Sequence, residues 1–442
     1  MARIIPFRGL RYDSSRVNPK EIVAPPYDVI TDEQNEFLQR RHPNNIARLT
    51  NPIEMPGDGP DNNKYIRARQ NLQRWIADRI LQRDDRPALY IYEQEYKYSA
   101  DTTRVRRGFI ALARLDDEAS GAILGHEQTH MLPKRDRLNL MKECKANLSP
   151  IFSLYSQPDG AIDSILVETA FTPPAYDFMD DNGVRNRLWV VTDPDLINDI
   201  ATQMNDKPII IADGHHRYET ALIYRHIRRS ERPNDPEDAP YNYTMMMFVN
   251  LDGEGVTIYP IHRLIHGLPD FDPQQFRSRL EEYFEITPSF FDCSTCETTA
   301  RNFMADLARL GETTHAFGLY LGGDKLELLR SKDDIKLRNM VDKTHCESYR
   351  TLDVAVAEAV ILKSILGIGS STTPKEEHVR YTPSDSDALA SVRLGETQIA
   401  LLLNPTKPEQ VKAVTYEGEK MPQKSTYFYP KLLSGLVINP LE

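Results

Sequence analysis

Residues 208–228 read PIIIADGHHRYETALIYRHIR, and this stretch decides the predicted fold class. The run Ile209–Ala212 is apolar and largely β-branched, which is typical of a buried central strand. Gly214 interrupts the run, because glycine adopts backbone angles that other residues avoid. Apolar side chains then recur at helical spacing, which predicts a helix over Arg217–Arg228. We therefore expect a strand, a tight polar loop and a helix.

The rest of the chain alternates strand and helix patterns in the same way. Residues 88–96 and 106–115 predict two strands paired antiparallel, and residues 61–81 predict a long amphipathic helix. Thr31, followed by Gln34, predicts a capping box that begins a helix to about Arg41. Mixed hairpins and strand–helix alternation indicate an α+β or mixed α/β fold.

The length of 442 residues suggests two or three lobes. We predict an N-terminal mixed α/β lobe over 1–160, a core containing the Asp213 loop over 161–290, and a C-terminal α/β lobe over 291–442.

Composition narrows the classes of partner. The net charge is −11, so a general nucleic-acid-binding surface is disfavoured. No apolar run reaches the length of a membrane span and no secretory signal is visible, so we expect neither a membrane anchor nor export. Four cysteines without a disulfide pattern fit a cytoplasmic protein with reduced thiols.

The loop Asp213-Gly214-His215-His216-Arg217 concentrates chemically active side chains at the start of a helix. The free N–H groups of a first helical turn favour anions, and an arginine fork suits phosphate or carboxylate. Asp213 could hold a metal ion or accept a proton, and the two imidazoles titrate near neutral pH. The alternative is structural: Asp213 caps the helix and the histidines pack locally.

The segment Gly125-His126-Glu127-Gln128-Thr129-His130 matches the H-E-x-x-H zinc-protease pattern. The pattern requires both histidines on one face of a helix. The preceding residues are strand-like, and Pro133 follows closely. A zinc hydrolase at His126 and His130 is therefore a minor alternative.

The run Ala212–Glu219 resembles the signature of a prokaryotic family called domain of unknown function 1015. Further stretches fit the same family, and together they span nearly the whole chain: Val23–Ile30, His126–Thr129, Asp136–Leu138, Asn147–Pro150 and Met421–Lys431.

The Asp-Gly-His-His-Arg loop is also similar to a more distant group, the fold shared by ParB proteins, sulfiredoxins and free-serine kinases. That resemblance implies a ParB/sulfiredoxin-like nucleotide-binding core with additional mixed-sheet lobes. It also implies phosphoryl transfer from ATP or ADP, with Mg²⁺ near Asp213, to a small-molecule substrate that could be L-serine. The sulfiredoxin comparison lacks its key feature, because this loop contains no cysteine.

The family resemblance extends the set of candidate residues beyond the loop. It places His126, Glu127 and Thr129 in the pattern and makes Glu127 a candidate general base beside Asp213 and His216. Candidates for nucleotide or phosphate binding are Gly214, His215 and Arg217 within the loop, and Lys134, Arg137, Lys424, Ser425 and Thr426 beyond it. Asp28, His262 and Arg263 are candidates for the pocket rim. Each stretch has a structural alternative: a solvated turn at Lys134 and Arg137, a packed C-terminal segment at Met421–Lys431, a rigid proline turn before Asp28, and a core histidine at His262.

The leading hypothesis is a nucleotide-dependent small-molecule kinase. The first alternative is a ParB-like nucleotide-binding regulatory protein without metabolite turnover, and the second is the zinc hydrolase. The oligomeric state is not predictable from the sequence.

Overall fold

The computed structural model describes residues 3–99, 101–116, 121–127, 131–291, 296–369 and 373–442, apart from the side chains of 131–133 and 296–297. Strands are β1 (Ile4–Ile5), β2 (Leu10–Tyr12), β3 (Leu81–Arg83), β4 (Leu89–Lys97), β5 (Thr103–Arg114), β6 (Ile123–Gly125), β7 (Ala146–Asn147), β8 (Ile151–Tyr155), β9 (Tyr176–Met179), β10 (Arg185–Val191), β11 (Ile209–Asp213), β12 (Tyr243–Asn250), β13 (Thr257–Tyr259), β14 (His262–Ile265), β15 (Phe284–Phe290), β16 (Ala316–Tyr320), β17 (Lys325–Ser331), β18 (Val379–Thr382), β19 (Ile399–Leu403), β20 (Tyr427–Tyr429) and β21 (Asn439–Pro440). Helices are α1 (Pro19–Ile22), α2 (Asp32–Arg41), α3 (Ala47–Thr50), α4 (Lys64–Ala77), α5 (Met131–Cys144), α6 (Ala161–Thr169), α7 (Pro194–Met204), α8 (His215–Glu231), α9 (Pro273–Leu280), α10 (Cys296–Leu310), α11 (Asp334–Met340), α12 (Glu347–Arg350), α13 (Asp353–Val356), α14 (Lys375–His378), α15 (Asp385–Arg393) and α16 (Pro408–Tyr416).

The chain divides into two compact units. Unit 1 contains residues 1–257 and 430–442, and unit 2 contains residues 258–429. The predicted lobes do not coincide with these units. The boundary predicted after residue 160 falls inside unit 1, just before α6, and the one after residue 290 falls inside unit 2, at the end of β15. The C-terminal segment belongs to unit 1 because β21 pairs with β7.

Unit 1 is built on a mixed sheet in the order β6-β11-β8-β12-β5-β4-β10-β9, with β1 paired to β5. Strand β11 runs parallel to β6 and antiparallel to β8. The antiparallel pair predicted over 88–96 and 106–115 is confirmed as β4 and β5. One apolar cluster joins this sheet to its helices, with Ile209 and Ile211 of β11 packed among buried residues of α6, α7 and α8.

The deciding stretch forms the predicted strand, turn and helix, with one difference. Helix α8 begins at His215, two residues before the predicted start at Arg217. Gly214 is the cause, because it precedes the helix with a φ of +95° and completes the turn by itself. Both histidines therefore lie in the first helical turn.

Unit 2 contains an antiparallel sheet in the order β15-β17-β16-β19-β14-β18. Its core includes Phe303 and Leu307 of α10, which pack with Leu389 of α15 and with Leu402 of β19.

The mixed α/β fold class predicted from the sequence is confirmed. The capping box at Thr31 and Gln34 is present. The helix predicted over 61–81 is shorter, at Lys64–Ala77, because Asn63 caps its start. Among the described residues, no helix is both long enough and apolar enough to cross a membrane.

Candidate active site at the Asp213 loop

A β-bulge sets the direction of the Asp213 side chain. Along β11, Ile211 pairs with Ser153 of β8, but Asp213 pairs with Phe152, so Ala212 is an extra residue in the strand. If β11 were regular through Asp213, with no bulge, the Asp213 side chain would lie on the same apolar face as Ile209 and Ile211, because strand side chains alternate with a period of two. Bulges of this kind redirect side chains beside functional sites.

Two cations hold the Asp213 carboxylate. Oδ2 lies 3.1 Å from Nη2 of Arg217 on α8, and Oδ1 lies 3.2 Å from Nζ of Lys431. Burial alone would raise the pKa of Asp213, but the charges of Lys431 and Arg217 outweigh burial and lower it to about 2. Asp213 is therefore a carboxylate at neutral pH, and its charge is more than compensated.

Gly214 allows the Arg217 guanidinium to lie against the turn. A Cβ atom at residue 214 would sit only 2.8 Å from Cζ of Arg217, a distance that real side chains do not tolerate. The guanidinium also donates through Nη1 to the carbonyl oxygen of Pro150. The loop glycine thus serves both the backbone turn and the placement of the cation.

Glu127 and two histidines meet at the carboxyl ends of β6 and β11. The backbone N–H of His126 donates to Nε2 of His215 at 3.1 Å. Because Nε2 accepts, the neutral His215 ring carries its proton on Nδ1, which lies 3.6 Å from Oε2 of Glu127. Glu127 keeps a third of its side-chain surface exposed, so its carboxylate is held beside an imidazole and still reaches solvent.

His126 has a structural environment. Its side chain is fully buried, and Nδ1 donates to the carbonyl oxygen of Ile211 at 2.7 Å. Burial lowers the pKa of His126 to about 4, so the ring is neutral at physiological pH. His126 follows β6 and precedes α5, so it does not meet the helical requirement of the zinc pattern. His130 and Thr129 lie outside the described residues.

Two further arginine contacts involve predicted residues. Arg137 of α5 is buried, pairs with its neighbour Asp136, and lies 4.0 Å above the ring of Tyr27. Lys134, predicted to bind phosphate, forms an ion pair with Glu219 of α8 and so joins the two helices. Asp28, next to Tyr27, is exposed.

The remaining candidates lie in unit 2. His262 is fully buried, accepts the N–H of Leu403 through Nδ1 and contacts Asp385 through Nε2 at 2.6 Å. This arrangement is the core histidine that was the structural alternative. Arg263 is also buried, and burial lowers its pKa to about 10.

The C-terminal stretch is split between the units. Lys424 is exposed, whereas Ser425 is buried and donates to the carbonyl oxygen of Pro422. Thr426 is buried as well. These three residues belong to unit 2, whereas Lys431, at the end of the same stretch, belongs to unit 1 and contacts Asp213.

The described residues do not fit the magnesium role predicted for Asp213. Both of its carboxylate oxygens face cations, so a divalent ion would have to displace Arg217 and Lys431. The described part of the chain also contains no group of three or more His, Cys, Asp or Glu side chains that could hold a metal ion.

The structure thus brings together several sequence stretches that resembled one family. Glu127 lies beside His215, and Asp213 lies beside Arg217 and Lys431, a convergence that the sequence alone did not predict; Lys431 was missed as a site residue. The signal that could have identified Lys431 was its place at the end of the stretch Met421–Lys431, but Lys424, Ser425 and Thr426 of the same stretch were chosen instead. His216 lies half-buried in the first turn of α8, and its predicted role as a proton acceptor stays a prediction.

Comparison with known proteins assigns the chain to a family. The chain belongs to the family described as protein of unknown function (DUF1015), which matches residues 4–355. Among curated proteins, none matches significantly.

Solved structures give weak similarities. A conserved hypothetical protein from Pyrococcus furiosus is 14% identical, with a TM-score of 0.32, over 73% of this chain and 92% of that protein. A mutant of free serine kinase in complex with ADP is 12% identical, with a TM-score of 0.34, over 75% and 91%. A C-terminally truncated SbnI from Staphylococcus aureus is 12% identical, with a TM-score of 0.35, over 75% and 87%. TM-scores this low do not establish a shared fold, so the ParB/sulfiredoxin-like core stays a prediction.

Proposed function

We propose that this protein is a nucleotide-dependent kinase that phosphorylates a hydroxyl group of a small molecule. The observation that carries the proposal is the convergence of Glu127, Asp213, His215, Arg217 and Lys431 where two parallel strands end and α8 begins. The carboxyl edge of parallel strands is where α/β proteins place ligands.

The charges suit a phosphoryl group. Arg217 and Lys431 supply two cations against the single carboxylate of Asp213, and the first turn of α8 adds N–H groups that point out of the helix. Catalysis of phosphoryl transfer rests largely on positioning and on neutralising the charge of the transferring group. These residues supply both without a covalent intermediate.

Glu127 is the proposed general base. In the transfer, the oxygen of the acceptor hydroxyl bonds to the terminal phosphorus of the nucleotide, and the bond from that phosphorus to the leaving nucleotide oxygen breaks. The hydroxyl proton goes to the Glu127 carboxylate. Nδ1 of His215 lies 3.6 Å from that carboxylate, and the backbone N–H of His126 fixes the His215 tautomer with its proton on Nδ1.

The experiment is phosphorus NMR of the protein with ATP or ADP, with and without MgCl₂, and a panel of hydroxyl compounds that begins with L-serine. We expect a new phosphomonoester resonance. Glu127→Gln should lower kcat about 100-fold or more, because a general base contributes at least that much. Glu168→Gln, an exposed carboxylate on α6, is the matched control and should be unchanged.

If no acceptor in the panel were phosphorylated, the proposal of a kinase would be refuted. If calorimetry on the same samples showed tight nucleotide binding without any product, the nucleotide-binding regulatory alternative would replace it.

A further inference from the structure

A small cavity lies beside the candidate active site, within unit 1. Its volume is about 50 Å³, and its polar lining includes Tyr27, Arg137 of α5, and Arg217 and Thr220 of α8. Arg217 connects the cavity to the loop, because the same guanidinium pairs with Asp213. The remaining lining is mixed: its apolar residues are Leu140, Met141, Ala146, Leu148 and Ile151, and its polar residues are Thr50, Asn147, Ser149 and Thr244.

Two residues of the lining each carry a buried polar atom without a partner. Thr220 is fully buried, and among the described residues nothing lies within hydrogen-bond distance of its Oγ1. The same holds, within the described part of the chain, for Nε of Arg217. A buried polar group without a partner costs about 1–3 kcal/mol, so a molecule that supplies the missing hydrogen bonds would bind favourably here.

The Thr220 hydroxyl also avoids the usual solution for a helical threonine. Buried threonines commonly donate to the carbonyl oxygen four residues earlier. Thr50 does so to Ile46, and Thr415 does so to Val411. No such bond forms at Thr220, which leaves its hydroxyl available to the cavity that it lines.

The chemistry of the lining selects a hydrogen-bond acceptor. The Arg217 Nε–H can only donate, and the Thr220 hydroxyl can donate as well. Two guanidinium groups border the cavity, those of Arg137 and Arg217. The Arg217 guanidinium shares its carboxylate partner, Asp213, with Lys431, so two cations face one carboxylate beside the cavity. An anion is therefore favoured over a neutral or cationic ligand.

The size of the cavity limits the anion. One water occupies roughly 10–15 Å³ by the same kind of measure, so about 50 Å³ accepts only a few heavy atoms. Ligand pockets for nucleotide-sized molecules are usually several hundred Å³. The apolar side chains of the lining can pack against the carbon atoms that are attached to an anionic group.

We propose that this cavity binds the carboxylate of a small ligand, with Arg217 Nε and Thr220 Oγ1 as its donors. The source of the carboxylate is either a free short-chain carboxylate or a small amino acid. In the second case the inference rests on the proposed function, because the amino acid would be the phosphoryl acceptor.

Isothermal titration calorimetry without nucleotide tests the site directly, using sodium acetate and L-serine as probes and sodium chloride at matched ionic strength as the salt control. Thr220→Val keeps the side-chain shape and removes the hydroxyl, whereas Thr220→Ser keeps the hydroxyl. We expect the dissociation constant of the bound probe to rise about tenfold or more in Thr220→Val, which corresponds to one hydrogen bond to a charged group. Thr220→Ser should stay within a few-fold of the unchanged protein.

Binding of acetate, or of L-serine alone, with this pattern supports the site and identifies the source. No binding of either probe, or equal affinities in the unchanged protein and Thr220→Val, overturns it. A crystal structure of the protein grown in acetate gives a second readout, and a cavity filled by water only also overturns the proposal.

The outcomes separate from those of the kinase proposal. Carboxylate binding without phosphoryl transfer would leave this site standing and remove the kinase. Phosphoryl transfer together with no binding of either probe, or with equal probe affinities in the unchanged protein and Thr220→Val, would leave the kinase standing and remove this site.

Discussion

Substitution of Gly214 by alanine tests how the loop holds Arg217. Two terms oppose the alanine. A residue other than glycine at positive φ costs about 1–2 kcal/mol, and the φ here is +95°. The new Cβ would also lie 2.8 Å from Cζ of Arg217, so the guanidinium must move away from Asp213 and the Pro150 carbonyl. Weakening these charge-assisted bonds adds about 1.5–3 kcal/mol, so we expect Gly214→Ala to lower the free energy of unfolding by about 3–5 kcal/mol.

Gly183 provides the matched control. Its φ is +72°, and a Cβ there would meet nothing within 4 Å. Gly183→Ala should therefore show only the backbone term of about 1–2 kcal/mol. Both glycines belong to unit 1, so the two variants can be compared with one probe.

The assay is urea denaturation followed by tryptophan fluorescence. The two tryptophans of the chain, Trp75 and Trp189, are both buried in unit 1, so their emission reports this unit. A double-mutant cycle with Arg217→Ala separates the two terms, because without the guanidinium Gly214→Ala should lose only the backbone term. We expect a coupling energy of about 2 kcal/mol between the two positions. Equal losses for Gly214→Ala and Gly183→Ala, or a coupling near zero, would refute the reasoning.

Three further predictions concern pH and buried polar groups. Asp213 has a pKa lowered to about 2 in the folded state, so its contribution to stability of roughly 2 kcal/mol is complete above about pH 4 and is lost as the pH falls towards 2. In urea titrations over that pH range, the stability difference between the unchanged protein and Asp213→Asn should therefore shrink. A constant difference would contradict the ion pairs. His126 has a pKa lowered from 6.5 to about 4 by burial, so as the pH falls between these values the unfolded chain is protonated first and stability decreases by roughly 3 kcal/mol. The plot of stability against pH for His126→Asn should lack this decrease. The same decrease in the variant would show that the imidazole is accessible to protons in the folded protein. In buffer free of carboxylates, Thr220→Val should leave the free energy of unfolding unchanged or raise it, whereas Thr415→Val, which removes a hydroxyl bonded to Val411, should lower it by about 1 kcal/mol. Calorimetric melting compares the two variants. An equal loss of stability in both would mean that the Thr220 hydroxyl has a protein partner.

Local patterns in the sequence were sufficient to predict the strand, turn and helix at Asp213. The apolar run, Gly214 and the helical spacing after it each constrain a few neighbouring residues, and these constraints agree with one another. The start of α8 was misplaced by two residues because the sequence does not reveal how tightly a single glycine in the left-handed region closes the turn. The bulge at Ala212 was also invisible, since it depends on pairing with Phe152 and Ser153 of another strand.

The composition of the candidate site was predictable only where a local motif existed. Lys431 reaches Asp213 from more than 200 positions along the chain, and no periodicity in the sequence indicates that contact. Thr220 looks like an ordinary helical threonine, and only the absence of its usual partner among the described residues distinguishes it. His262 has the environment of the structural alternative for its stretch, because its ring nitrogens contact the backbone N–H of Leu403 and the carboxylate of Asp385.

Calorimetric titration of ADP and ATP into the unchanged protein and into Lys431→Met most directly tests whether the Asp213 loop receives a phosphorylated ligand. We expect binding to the unchanged protein, and a dissociation constant at least tenfold higher in the variant, because it removes a cation that faces the same carboxylate as Arg217. Nucleotide affinity that is equal in both proteins, or no heat of binding at millimolar nucleotide in the folded unchanged protein, would contradict a phosphate site at this loop.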